Sequence, residues 1–150
     1  MVYQLSVIIL VAGWVSSRAA EFVGTSPCGG TVREFMGISE TEPCDKITWR
    51  LDLLPEANRF TLNATYGLQE ESAPGFVDSG KTVTFKGVFK ITGTFPKQTY
   101  TFKPDQSERV LSMRRMNDNL LQLLARDGKS LIGNEFWSYT LNRKGAGKSR

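Results

Sequence analysis

The chain has 150 residues, no histidine, two cysteines and a formal net charge of +4. Arg18 and the basic residues of the C-terminal RKGAGKSR (Arg143, Lys144, Lys148 and Arg150) carry that excess, leaving 14 of the 19 Lys and Arg against 15 Asp and Glu. A near-neutral body argues against nucleic acid as a partner, which calls for basic residues clustered on the fold itself. The missing histidine removes a common zinc ligand and the usual base that activates a thiol.

The chain opens MVYQLSVIILVAGWVSSRAAEF. Leu5 to Val15 is an uncharged apolar run, shorter than the roughly 20 residues a bilayer requires but suited to an export signal. Small residues at Ser16, Ser17, Ala19 and Ala20 would permit cleavage after Ala19 or Ala20. Residues 1–19 are therefore expected to be a signal peptide, with an uncleaved anchor or a buried strand as alternatives. After cleavage no membrane span is expected, and no cysteine near the cleavage region is placed to take a lipid. What remains suffices for one domain with its own core; it is expected over residues 20–143, with 144–150 a disordered basic tail.

A short strand is expected at Phe22–Thr25. The stretch SPCGGTVREFMGISETEPCD follows, with Cys28 and Cys44. In an exported protein two cysteines normally pair. Their spacing is not C-x-x-C, so a disulfide is favoured over a metal or redox pair. Between them Thr31 and Glu34 have capping-box spacing, Val32, Phe35 and Met36 share one face of a short helix, and Gly37 would end it.

Period-two alternation begins at KITWRLDLL, where Ile47, Trp49, Leu51 and Leu53 share a face. PEAN turns the chain, and RFTLNATY places Phe60, Leu62, Ala64 and Tyr66 together, the pattern of a hairpin with one wet face. Gly67–Gly80 has no period and is expected to be a long loop. In TVTFKGVFKITG, Val83, Phe85, Phe89 and Ile91 are in phase, with Gly87 where a bulge or bend would sit. QTYTF aligns Tyr100 with Phe102. RVLSMRRM, NLLQLLA and EFWSYTLN complete the set, and in the last of these Trp137, Tyr139 and Leu141 share a face. Val110, Met113, Asn117, Leu121 and Leu124 would also align on a helix, but Asn117-Asp118-Asn119 favours a hairpin turn. The expected fold is all-β: about eight strands in an antiparallel up-and-down barrel, with one short helix between the cysteines.

GTSPC…CDKITWRLDLL, FTLNATYG and DNLLQLLARDGKSLIGNEFWSYTLNR together resemble the NlpE-like (copper-resistance lipoprotein) N-terminal domain family of bacterial envelope proteins. The resemblance covers roughly Phe22 to Arg143 and implies a small lipocalin-like barrel in the periplasm or secreted, involved in envelope stress or copper handling. The family's C-x-x-C near the first strand and its lipidated cysteine are both missing, which implies a soluble relative without the copper motif.

No G-x-S-x-G, metal-ligand cluster or inward carboxylate pair is present, so no catalytic residue, metal or cofactor is expected. An eight-stranded barrel can be filled by side chains or hold one small ligand. Trp49, Phe60, Tyr100, Met113, Trp137 and Tyr139 are candidates to line such a site, or to fill it as core. Arg115 shares parity with Met113 and would need an anionic or carbonyl partner if it points inward. The expected partner is a small apolar ligand or, alternatively, an envelope protein met through surface loops, Gly67–Gly80 foremost. Met113 and Met116 could offer thioethers to copper but fall on opposite faces of a strand.

Overall fold

The computed structural model describes residues 19–145. The expected signal peptide, apart from Ala19, and the tail beyond residue 145 lie outside the described residues. Eight strands are present: β1 (Ala20–Pro27), β2 (Lys46–Leu54), β3 (Arg59–Gly67), β4 (Lys81–Thr92), β5 (Thr99–Pro104), β6 (Leu111–Asn117), β7 (Leu120–Leu123) and β8 (Thr140–Arg143). One α-helix, α1 (Gly30–Met36), lies between β1 and β2. Each strand pairs antiparallel with its neighbour in sequence, and β8 pairs back onto β1 to close the barrel.

Alternation sets what fills it. Ile47, Trp49, Leu51 and Leu53 of β2 and Phe60, Leu62, Ala64 and Tyr66 of β3 are buried. They join Phe89, Phe102, Leu111, Met113, Leu121, Leu123 and Leu141 in one core. Full burial of each such aliphatic or aromatic side chain contributes about 1.5–3 kcal/mol. Closure is narrow, since Phe22 opposite Arg143 and Val23 opposite Asn142 are the paired positions of β1 and β8.

The two ends differ. Tight connections β2–β3, β4–β5 and β6–β7 lie at one end. At the other, α1 lays Val32, Phe35 and Met36 into the core, with the Phe35 ring 4.9 Å from that of Phe85. Cys28 and Cys44 form the disulfide. Inside its loop the Arg33 side chain donates to the carbonyls of Cys28 (3.0 Å), Ser39, Glu42 (3.0 Å) and Cys44 (3.4 Å). Gly37 ends α1 at φ 74°, a left-handed conformation that glycine adopts readily, while its N–H and that of Ile38 return to the Glu34 and Arg33 carbonyls.

Several local expectations are corrected. Thr31 and Glu34 form no capping box: the helix starts two residues earlier than that box requires, at Gly30, with Gly29 as the N-cap and no side-chain cap. Glu34 pairs instead with Arg126. The first strand is longer than Phe22–Thr25. Gly87 makes no bulge, because the registers on both sides of β4 run through it unbroken; the shift lies between Arg115 and Asn117. The last strand is shorter than EFWSYTLN. The Asn134 side chain accepts the N–H groups of Phe136 and Trp137 (3.0 and 2.9 Å), a local turn that competes with sheet pairing. The loop after β3 is ordered by a bridge between Gln69 and Phe76, and it seats the Phe76 ring 4.6 Å from the Lys46 ammonium, covering that residue.

Candidate functional site at the barrel mouth

The end opposite α1 opens as a cup of about 240 Å³. Phe22, Leu53 and Phe89 make its buried floor, with Ile91 and Tyr100 on its wall. These side chains come from β1, β2, β4 and β5 and lie towards the same end of the barrel. The ring of Tyr100 stacks on Phe89 (centroids 6.2 Å, planes 13° apart), and Phe89 contacts Phe102, which meets Phe60 edge-on at 5.2 Å. An aromatic column thus runs from the mouth into the core.

Two guanidinium groups stand on the rim. Arg115 forms an ion pair with Asp118, donates to Gln98 Oε1 (3.1 Å) and lies over the Phe95 ring at 5.6 Å. Arg143, on β8 beside Phe22, lines the same cup and has no carboxylate partner among the described residues. Apolar floor and cationic rim suit a molecule with an apolar end and a negative head. The volume lies below the roughly 300–1,000 Å³ of drug-sized sites, so the cup has room only for the end of such a molecule.

The candidates named from sequence divide into three groups. Tyr100 and Arg115 meet at the mouth. Trp49, Phe60 and Met113 are 2%, 1% and 0% exposed and serve as core; the Trp49 indole N–H donates to Ser26 Oγ at 2.8 Å. Tyr139 lies at the helix end, where burial pushes its hydroxyl pKa up, partly opposed by a hydrogen bond to the Gly29 backbone. Trp137 does not line the interior at all: it precedes β8, packs on the exposed Phe136 and faces outward beside Cys28 and Cys44. Met113 is buried while Met116 is exposed, so no thioether pair converges.

Sequence reasoning missed Phe22, Leu53, Phe89 and Arg143 as site residues. Parity was a usable signal for Arg143, which follows Leu141 by two, but its charge was grouped with the basic run that leads into the tail.

A second cup, about 280 Å³, lies near the helix end between Tyr66, Leu68, Val77 and Lys81. Its one lining cation, Lys81, is already paired. Glu42 pairs with Lys81 and accepts from the Tyr66 hydroxyl (3.3 Å). The Lys81 hydrogen bond holds the Glu42 carboxyl below its ordinary range, while burial, then the Glu42 charge, pushes Tyr66 up. No cation is left over there for a ligand, unlike at the mouth.

Comparison of the chain with family models, curated proteins and solved structures finds no match.

Proposed function

We propose that this is an exported, non-enzymatic binding barrel of NlpE-like character that takes the apolar end of a small anionic amphiphile into its mouth. The observation that carries this is the Arg143 guanidinium, without a carboxylate partner among the described residues, beside a floor of Phe22, Leu53 and Phe89. A cation at the edge of an apolar cup strengthens a hydrogen bond to an anionic head. The filled interior limits the ligand to the mouth. The Cys28–Cys44 disulfide supports an oxidising compartment, secreted or periplasmic.

Titration calorimetry with decanoate and decanol tests it. Decanoate binds saturably, decanol about tenfold more weakly, and Arg143→Ala removes most of that difference, as expected for a charge-assisted contact worth about 1.5 kcal/mol. Equal affinities for the two, or no saturable binding, would refute the proposal.

A second reading, an interaction module for envelope stress or copper homeostasis, is favoured by the apolar side chains of Ile132 and Phe136, both held out to solvent before β8. For this reading, Phe136→Ser would abolish capture of an envelope partner while leaving decanoate binding intact.

A further inference from the structure

The near-neutral body hides a segregated charge. On the outer faces of β4, β5 and β6, the residues pointing away from the core include Lys86, Lys90, Lys103 and Arg114, and Lys97 sits in the β4–β5 turn. The sheet register brings them together: Lys90 lies opposite Thr101, Thr99 opposite Arg114, and Lys103 opposite Val88. None of the five forms an ion pair among the described residues, though the Lys103 charge helps to lower the Asp105 carboxyl. Asp105 itself is held by Arg59 through two hydrogen bonds of 2.8 and 2.6 Å. Glu40, Glu70, Glu71 and Asp78 lie in loops at the helix end.

Apolar side chains are set among these cations. Val88 lies between Lys86 and Lys90 on β4, Met116 follows Arg114 on β6, and both are exposed. At the β4–β5 turn Phe95 is 57% exposed, and Ile91 on the mouth's wall is 45% exposed.

We infer that this face docks on the surface of an anionic lipid bilayer, with the β4–β5 turn seated at the headgroup level. Unpaired lysines supply the attraction to acidic headgroups, and an aromatic at a projecting turn is the residue type that settles at the interface. A polypeptide partner adding a strand is not available here, since β4 and β5 are paired on both sides within a closed sheet. A single-stranded nucleic acid would want several stacking rings along the basic track, and among the described residues this face offers Phe95 alone. Docked this way, the mouth lies beside the membrane, because Phe95 packs over Arg115 at its rim. The inference does not depend on ligand binding at the mouth, because vesicles without free amphiphile suffice to test it.

The experiment is sedimentation of the full chain with phosphatidylcholine vesicles and with vesicles containing 30% phosphatidylglycerol. The apolar run at residues 5–15 is common to every variant, so the ratio of anionic to neutral partitioning is the quantity read. Expected is a ratio of about tenfold or more at low salt, shrinking as screening rises. Lys90→Gln with Lys103→Gln brings it towards one while thermal unfolding is unchanged. Phe95→Ser lowers anionic partitioning with every lysine in place. A wild-type ratio near one, or a ratio untouched by the lysine substitutions, would overturn the inference. So would a DNA oligomer bound as tightly as the anionic vesicles with no effect of Phe95→Ser.

Discussion

Gly24 and Leu141 face each other across the seam where β1 meets β8, and a Cβ on Gly24 would lie 2.8 Å from Leu141 Cδ2 and 2.4 Å from the Thr140 carbonyl oxygen. Gly24 also lies opposite Trp49 on its other side. The barrel closes here because nothing is attached to that Cα. Gly24→Ala is expected to force the two strands apart and cost about 2–3 kcal/mol, in the range of overpacked cores. Urea unfolding measures it; a loss below about 0.5 kcal/mol, the size of an ordinary surface substitution, would show that the seam tolerates bulk.

Arg33 and the disulfide hold the same loop by different means. Replacing both cysteines with serine should cost about 3 kcal/mol on the loop-closure argument. Arg33→Ala leaves partly buried carbonyls without their donor and should cost about 1–3 kcal/mol. The two losses are expected to be non-additive, because they act on one set of contacts. A thermodynamic cycle over the wild type, the two variants and their combination checks this, and strict additivity would contradict the shared role.

Stability should be flat between about pH 5.5 and 9, since no histidine is present and the shifted groups titrate outside that window. On the acid side, Arg59 holds the Asp105 carboxyl below its ordinary 3.8, and Lys81 holds Glu42 below 4.5. Folded values beneath unfolded ones mean stability that is present above those values and lost as pH falls through the folded ones. On the alkaline side, burial raises Tyr66 and Tyr139 above 10.0, and Glu42 raises Lys81 above 10.5. Those groups keep their protons longer when folded, so their contribution is full below about pH 10 and declines above it. Urea midpoints from pH 3 to 11 follow the curve. A step near neutral pH would count against this account, and Tyr139→Phe should flatten the alkaline fall.

Strand order, closure and the short helix were legible because period two in β2 and β3 admits one inward face, and because two cysteines without C-x-x-C spacing point to a staple. The turns at PEAN and Asn117-Asp118-Asn119 were legible too, whereas strand ends and irregularities were not. Asn134 stops the last strand with a side chain that also fits a strand's solvent face, so alternation extended the strand over Trp137. Gly87 looked like a bulge, yet the actual shift follows Arg115, where no glycine or proline marks it. The mouth was only half visible. Tyr100 and Arg115 stood out as polar-tipped residues on the inward face, whereas Phe22, Leu53 and Phe89 looked like any other core residue. What distinguishes them is proximity to the open end, which strand lengths and the helix plug decide together.

Ligand received at the mouth of a filled barrel should leave the interior undisturbed, and amide chemical-shift mapping during a decanoate titration reads this residue by residue. Saturable shifts are expected at Phe22, Leu53, Phe89, Tyr100 and Arg143, with Ile47, Trp49, Phe60 and Met113 unmoved. Shifts centred on Trp49, Phe60 and Met113, or an unchanged spectrum at saturating decanoate, would contradict binding at the mouth.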